Sequence, residues 1–377
     1  MDDSPLDIPP LGELRILDFS RILAGPFATM MLADLGADVI KVERPGAGDE
    51  TRSWGPPFDA RGQATYFQSV NRNKHSVALD LANARDLARA RELAHAADIV
   101  VENFRPDVMD KLGLGYEQLA AENRGLIFCS ITGFGAGAGA QLPGYDLLVQ
   151  ALGGLMSITG APDGEPQKVG VALVDVLAGL FASLGILAAL RHRDRTGEGQ
   201  RVEVNLLSSL LAGLVNQASA YTLADVVPGR MGNAHPSISP YELYETGAGQ
   251  LVVAIGNERQ FTALCDVLDA PELAADPRFA TNSDRVAHRA ALKEELVTRL
   301  RAAPASEWAE RLTAGRVPAG VVNDLAGAFA LARAVGLDPI VEVPSADGTA
   351  VALPRNPIRL SRTPPTYRSA PPLLPDY

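Results

Sequence analysis

Short apolar segments alternate with helical segments along the first part of the chain, and this alternation limits the folds open to it. Segments typical of strands lie at 14–19, 38–44, 77–81, 98–102 and 125–132. Helical patterns lie between them at 26–35, with Pro26 at its start and Gly36 at its end, and at 84–96. Strands that alternate with helices predict a parallel sheet, so the expected fold class is α/β and Rossmann-like.

A glycine-rich run, GFGAGAG at 133–139, follows the last of these strands. Gly133, Gly135 and Ala138 satisfy the loose GxGxxA form of a dinucleotide-binding loop. Such a loop should open a helix, and an acidic residue should close the next strand about 20 residues later. Here Gln141 and Pro143 follow instead, so we do not expect NAD binding at this run.

A single carboxylate, Asp175, lies inside the otherwise apolar segment 168–200. Burying a charged side chain is costly unless the charge is paired or changes its protonation state. Two interpretations of Asp175 stay open. In the first it is the N-cap of a buried helix at 176–192, and in the second it is a nucleophile that a helix N-terminus holds ionised. One residue can have both roles. A membrane span is not expected, because the segment is rich in Ala and Gly and contains Ser183.

The composition excludes several classes of function. The 377 residues are 47% hydrophobic and 21% charged, which is enough apolar material for two globular domains. A net charge of −11 argues against nucleic acid as a partner. Cys129 and Cys265 have no metal-like spacing, and no CxxC, HExxH, GxSxG or Walker motif occurs, so no metal site is predicted. The start of the chain, MDDSPLDIPPL, has no signal-peptide pattern, which predicts a cytoplasmic protein.

The local composition of the chain changes near Pro228, where the segment PGRMGNAHP indicates a loop. Beyond it, segments at 241–245 and 251–255 flank TGAG and predict a hairpin, and several helical patterns follow. A second, smaller α+β domain therefore begins near this loop.

Several motifs together resemble a known family. In chain order they are LRILDFSRILAGPFATMMLADLGADVIKVERPGAGDETR, NRNKHSVALDL, VENFRPDVMDKLGLGYEQL, SITGFG, PGYDLLVQALGGLMSITG, KVGVALVDVLAGL, TGEGQRVEV and GNAHPSISPYELYET. Over nearly its whole length the chain resembles the family III coenzyme A transferases, also called the CaiB/BaiF family. The resemblance implies a large Rossmann-like CoA-binding domain at 1–210, a small α+β domain at 229–325, a return to the large domain at 335–377, and a homodimer of interlocked rings.

The resemblance also implies an enzyme that moves coenzyme A from an acyl-CoA, with succinyl-CoA a common donor among relatives, to a small carboxylic acid. Asp175 matches the nucleophile of the family, and an aspartyl anhydride or thioester keeps the free energy of the donor thioester. Tyr145 and Asp146 match active-site side chains. As an ordinary helix start they would be a core residue and a first-turn acid instead. Coenzyme A is a substrate in this scheme, and no bound cofactor is implied.

The positions that match coenzyme A contacts of the family are Ile22, Leu23, Arg44, Leu79, Ala82, Asn103, Phe104, Arg105 and Lys111. Cations at such positions suit the phosphates of coenzyme A, although a single Arg or Lys is more often a solvated surface charge. The chain departs from the pattern at Ala82, where relatives can carry a lysine. That phosphate contact is then lost or is supplied by Arg72 or Lys74.

Two other functions stay open. The α-methylacyl-CoA racemases of the same family transfer a proton at the α-carbon and carry a His-Asp pair where this chain has Tyr145 and Asp146. Tyrosine, with an unperturbed pKa of about 10, is a poor general base at neutral pH, although His235 could replace the missing histidine. A non-catalytic acyl-CoA-binding protein would keep the basic contacts and would not need Asp175.

Overall fold

The computed structural model describes residues 8–377, which divide into two compact units. Of these residues, the first unit contains those up to 155, 168–226 and 338–377, and the second contains 156–167 and 227–337. The family resemblance places 156–167 in the large domain, but this segment groups with the smaller unit. The reason is the side chain of Arg230, which donates hydrogen bonds to the carbonyl oxygens of Ala161 (3.2 Å) and Gly164 (2.9 Å).

A six-stranded parallel sheet forms the centre of the first unit. Its strands are β1 Arg15–Asp18, β2 Asp38–Glu43, β3 Lys74–Ala78, β4 Ile99–Glu102, β5 Ile127–Thr132 and β6 Arg201–Asn205. Their order in the sheet is β3-β2-β1-β4-β5-β6, and all neighbours are parallel. The predicted α/β class with a parallel sheet is confirmed. The strand order reverses between β1 and β4, where such sheets leave a crevice at the carboxyl ends of their strands.

The helices along the first 224 residues are α1 Ala24–Asp34, α2 Thr65–Ser69, α3 Ala84–His95, α4 Val108–Lys111, α5 Tyr116–Ala120, α6 Asp146–Leu152, α7 Leu155–Ile158, α8 Leu173–Thr196, α9 Leu206–Gly213 and α10 Val215–Ala224. By length and composition alone α8 could cross a membrane. It packs against α1, α9 and the strands β5 and β6, as the core helix of a globular unit does. Gly179 permits this packing, because a Cβ there would lie 2.7 Å from the carbonyl oxygen of Ala24.

Strand β3 begins three residues earlier than the predicted segment 77–81, and this shift changes the role of the residues before it. Lys74 pairs with Val39 of β2 inside the sheet, and its Nζ lies 3.1 Å from Asp18 Oδ2. Arg72 is buried as well, and its guanidinium lies 2.6 Å from the carboxylate of Asp34. Of the two alternatives for the phosphate contact at Ala82, the one in which Arg72 or Lys74 supplies it is therefore wrong, because both charges are paired inside the unit.

The second unit combines an antiparallel sheet with helices. The sheet has the order β7-β8-β9, with β7 Tyr241–Glu245, β8 Gln250–Ala254 and β9 Ala319–Val321. The helices are α11 Glu258–Val267, α12 Pro271–Ala275, α13 Asn282–Ala287, α14 Arg289–Leu300, α15 Ala305–Ala314 and α16 Leu325–Ala334. Tyr244, Leu264, Leu296 and Trp308 share one buried core, and the predicted hairpin is confirmed. The chain then forms a last hairpin in the first unit, β10 Ile340–Pro344 and β11 Ala350–Pro354.

Candidate active site

Asp175 lies in the first turn of α8 and is 9% exposed. The helix begins at Leu173 after an N-cap at Ala172, so the first of the two interpretations, in which Asp175 is the N-cap of a helix at 176–192, is wrong. Another carboxylate takes that role. Asp146 Oδ1 accepts hydrogen bonds from the backbone N–H groups of Val174 (2.8 Å) and Asp175 (3.2 Å). Because α6 supplies the cap, the side chain of Asp175 is not needed to satisfy the helix N-terminus.

Helix α6 holds the whole approach to α8 in place. Asp146 is its first residue, and Gln150, one turn later, donates from Nε2 to Asp146 Oδ2 at 2.6 Å. Oε1 of the buried Gln150 accepts a hydrogen bond from the backbone N–H of Val169 at 2.9 Å. Tyr145, the N-cap residue of α6, is 60% exposed, so it is not a core residue. The hydrogen bonds of Asp146 and Gln150 thus fix the segment that precedes Asp175 to α6.

The electrostatic setting of Asp175 disfavours its charge. Burial, with a further contribution from the carboxylate of Asp146, raises the pKa of Asp175 to about 7. Within residues 8–377 the Asp175 carboxylate has no hydrogen-bond or ion-pair partner. Its carboxylate is therefore more basic than that of an ordinary aspartate and is not engaged by other side chains.

Three neighbouring cavities of the first unit share wall residues. The aromatic cavity is lined by Ile22, Trp54, Tyr66, Tyr145, Asp146, Leu147, Gln150, Lys168, Val169, Gly170, Val171, Ala172 and Asp175. The glycine cavity is lined by Ala24, Asn103, Phe104, Arg105, Pro106, Asp175, Leu206 and residues of β5 and the loop that follows it, from Ile131 to Gly144. The arginine cavity is lined by Phe19, Arg21, Val42, Glu43, Arg44, Leu79, Asp80, Leu81, Ala82 and Phe104.

Asp175 belongs to the aromatic and glycine cavities, and Phe104 belongs to the glycine and arginine cavities. Through these shared residues the three cavities form a series that extends from the buried carboxylate of Asp175 to two exposed guanidinium groups, those of Arg21 and Arg44. The glycine and arginine cavities are lined by residues at the carboxyl ends of β1 to β5, around the point where the strand order reverses.

The structure brings most of the predicted site residues into these walls. Two predicted residues lie outside them. Leu23 is buried just before α1, with 8% exposure, and Lys111 is exposed at the end of α4; neither lines any of the three cavities.

The glycine-rich run that lacks dinucleotide-loop context forms part of the wall beside Asp175. The backbone reverses direction over this run and brings Gly133 close to Gly144. A Cβ on Gly133 would lie 2.4 Å from the Cα of Gly144. Only glycine fits at that approach. The position of the run directly after β5, at the carboxyl edge of the sheet, is a signal that could have assigned it to the site.

The wall residues that sequence reasoning missed include Arg21, Trp54, Tyr66 and Lys168. Arg21 follows β1 at the point where the strand order reverses, so knowledge of the strand order would have identified it. Trp54 and Tyr66, whose ring centroids are 5.3 Å apart, lie between β2 and β3 in a region whose path no local pattern predicts. No group of three or more potential metal-ligating side chains occurs among residues 8–377.

The comparisons with known proteins agree with this geometry. The family model of CoA-transferase family III matches residues 11–376. A succinate–glutarate CoA-transferase from Agrobacterium fabrum is 44% identical over 388 residues, which cover 100% of this chain and 96% of the relative. A succinyl-CoA:glutarate CoA-transferase from Mus musculus is 42% identical over 366 residues, which cover 97% of this chain and 84% of the relative.

A solved structure points the same way. The crystal structure of a CaiB/BaiF family protein from Brucella suis superposes with a TM-score of 0.85 at 44% identity, covering 97% of this chain and 96% of that one. A family model and relatives of this identity, each matched over nearly the full chain, decide the assignment. The chain belongs to CoA-transferase family III and is an enzyme that transfers coenzyme A between an acyl-CoA and a carboxylic acid.

Proposed function

We propose that this enzyme moves coenzyme A from succinyl-CoA to a small dicarboxylic acid of the glutarate type, with Asp175 as the covalent nucleophile. The observation that carries the proposal is the position of Asp175, an unpartnered buried carboxylate in the wall that two cavities share. The choice of donor and acceptor follows the names of the two relatives, which act on succinyl-CoA or succinate and on glutarate.

The reaction proceeds through acyl derivatives of Asp175. A carboxylate oxygen of Asp175 attacks the thioester carbonyl, the C–S bond breaks, and coenzyme A leaves as the thiolate. The thiolate then attacks the carbonyl carbon of Asp175, which releases the donor acid and leaves an aspartyl thioester. The acceptor carboxylate displaces the thiolate to give a second mixed anhydride. Finally the thiolate attacks the acceptor carbonyl, which forms the new acyl-CoA and regenerates the Asp175 carboxylate.

Burial of Asp175 serves this chemistry in two ways. Water would hydrolyse either intermediate, so a largely buried site protects the stored free energy. The raised pKa, which reaches about 7, makes the ionised carboxylate a stronger base than an ordinary aspartate, although less of it is ionised at neutral pH. Tyr145 and Asp146 act beside it. Tyr145 contacts the thioester arm from the aromatic cavity, and Asp146 holds the first turn of α8.

Coenzyme A binds as a substrate along the connected cavities. The acyl end lies at Asp175, and the nucleotide end lies in the arginine cavity, which has a volume of about 330 Å³. The proposed contacts are Ile22, Leu23, Arg44, Leu79, Ala82, Asn103, Phe104, Arg105 and Lys111. Of these, Leu23 and Lys111 line none of the three cavities.

The enzyme works as an interlocked homodimer in the cytoplasm under this proposal. Large apolar side chains are exposed on consecutive helices of the first unit, for example Leu184 (63%), Val215 (67%) and Leu223 (85%). An apolar surface of this kind supports a contact with a second copy. Both cysteines are free and buried, which suits a reducing compartment. Sedimentation that finds an active, folded monomer at micromolar concentration would contradict the dimer.

Trapping the acylated aspartate tests the function directly. Incubation with succinyl-CoA and hydroxylamine should convert Asp175 to a hydroxamate that mass spectrometry locates in the peptide containing α8. The Asp175→Ala variant should bind coenzyme A and lose transfer, whereas Asp194→Ala, an exposed carboxylate near the other end of the same helix, should keep both. Exchange of the substrate α-proton with solvent deuterium, without hydroxamate, would indicate a racemase instead.

A further inference from the structure

The loop between β1 and α1 is held by side chains at three successive residues, Ser20, Arg21 and Ile22. The backbone N–H of Ser20 donates to Asp18 Oδ1 (2.9 Å), and its carbonyl oxygen accepts from Lys41 Nζ (2.8 Å). Asn103 bonds both backbone groups of Arg21, since its Oδ1 accepts from the N–H (2.9 Å) and its Nδ2 donates to the carbonyl oxygen (2.8 Å).

Asp49 completes this set of bonds at Ile22. Its carboxylate accepts from the backbone N–H of Ile22 at 3.2 Å and forms an ion pair with Lys41 at 2.9 Å, with both side chains 0% exposed. Ile22 has a φ of 72°, which a β-branched residue adopts only when its surroundings enforce it. The loop is therefore a fixed structure, and it lies where the strand order reverses, the usual ligand position in such sheets.

This loop aims the side chain of Arg21 into the arginine cavity. The guanidinium carbon lies 5.1 Å from the centroid of the Phe104 ring, and one terminal nitrogen lies 2.7 Å from Glu50. The Arg21–Glu50 pair is about half exposed, at 44% and 46%, so exchanging the glutamate for a stronger anionic partner costs little. Because its backbone is fixed on both sides, Arg21 loses less conformational freedom on binding than an ordinary surface arginine.

The other charges of the cavity wall leave two cations available for a ligand. Glu43 is 3% exposed and already bonded to Arg52, whose guanidinium lies 2.7 Å from it. Asp80 accepts a hydrogen bond from the backbone N–H of Ala82. Arg44 and Arg21 are the cations of this wall among the described residues. Coenzyme A carries a diphosphate and a 3′-phosphate, so a second guanidinium in this cavity provides a partner for one of these groups in addition to Arg44.

We propose that Arg21 is a second phosphate-binding residue for coenzyme A, in the same cavity as Arg44. The inference rests on the proposed function, because it takes coenzyme A as the ligand. Asn103, which is itself one of the proposed coenzyme A contacts, is then also a positioning residue that acts through the backbone of Arg21. A guanidinium that is already oriented suits a phosphate, because it offers several N–H donors in one plane.

The test compares Arg21→Gln with the unmodified enzyme. Its dissociation constant for coenzyme A, measured by calorimetry, should rise about tenfold, which corresponds to ~1.4 kcal/mol. The matched control, Arg89→Gln, removes an exposed arginine on α3 outside the cavity and should leave the dissociation constant unchanged.

The value of kcat/KM of Arg21→Gln with succinyl-CoA should fall about as much as the affinity. Its kcat/KM with succinyl-pantetheine, which has no phosphate, should stay the same. Succinyl-3′-dephospho-CoA identifies the phosphate: a persisting loss indicates the diphosphate, and a vanished loss indicates the 3′-phosphate.

A double-mutant cycle tests the positioning role. Asn103→Ala should weaken coenzyme A binding less once Arg21 is glutamine than in the unmodified enzyme, because the part of its effect that acts through Arg21 is then already lost. An unchanged dissociation constant in Arg21→Gln, or an equal loss with succinyl-pantetheine, would overturn the assignment of Arg21. Failure of the unmodified enzyme to transfer from any donor would instead refute the proposed function, and the calorimetric constant for free coenzyme A would still decide the role of Arg21.

Discussion

Replacing Asp175 by asparagine should stabilise the folded protein, and the gain should grow as the pH rises. The substitution keeps the shape of the side chain and removes a charge that is 9% exposed and close to Asp146. Burial raises the pKa of Asp175 from 3.8 to about 7. This difference of about 3 pKa units, at ~1.4 kcal/mol for each unit, destabilises the wild-type protein by ~4 kcal/mol at a pH well above 7.

The sign follows from the protons bound in each state. Between about pH 4 and pH 7 the folded protein keeps a proton on Asp175 that the unfolded chain has lost, so raising the pH favours unfolding. The stabilising contribution is full below pH 3.8 and is lost as the pH rises through about 7. Roughly half of the total, ~2 kcal/mol, falls between about pH 5.5 and about pH 8.5.

Urea unfolding followed by circular dichroism, at one protein concentration and at both pH values, measures this effect. The free energy of unfolding of Asp175→Asn minus that of the wild type should be ~2 kcal/mol larger at the higher pH. Asp194→Asn, on the exposed far end of α8, controls for a general loss of negative charge and should show no such trend. An equal difference at both pH values would show that Asp175 ionises normally in the folded protein, and the argument from burial would then fail.

Three further predictions concern the surroundings of this residue. Asp146→Asn keeps an oxygen that can cap α8 and removes the charge next to Asp175. The pH midpoint for hydroxamate formation at Asp175 should therefore move below that of the wild type. An upward shift of this midpoint would contradict the electrostatic argument. Lys41→Met leaves Asp49 buried and without its ion-pair partner, which should lower the free energy of unfolding by about 3–5 kcal/mol in urea denaturation. Lys168 is the cation of the aromatic cavity, so Lys168→Met should raise KM about tenfold for a dicarboxylic acceptor and hardly at all for a monocarboxylic one, as steady-state kinetics would show.

Local patterns predicted the elements that are stabilised by neighbours in sequence. The alternation of apolar and helical segments predicted the parallel sheet, because a strand buried on both faces is continuously apolar. The hairpin at β7 and β8 followed from a turn motif between two short apolar segments. The motifs distributed along nearly the whole chain were sufficient to identify the family, and the family model matches residues 11–376.

Long-range contacts decided the arrangement of the site. The cap of α8 comes from Asp146, about 28 residues earlier, so no pattern near Asp175 predicts that its own side chain is free. The burial of Lys74 depends on a partner 56 residues away, Asp18, which a local reading of charge cannot supply.

Arg21 shows the same division between sequence and structure. As a single arginine in a short loop, it has no pattern that separates it from a solvated surface charge. Its backbone is fixed by Asn103, which is 82 residues away in the sequence and adjacent in space because β1 and β4 are neighbours in the sheet. The sequence by itself therefore determined the fold class and the family, and it predicted Asp175 as the nucleophile. Only the tertiary structure decided which charges are paired in the interior and which are available to a ligand, because pairing depends on strand order and not on local composition.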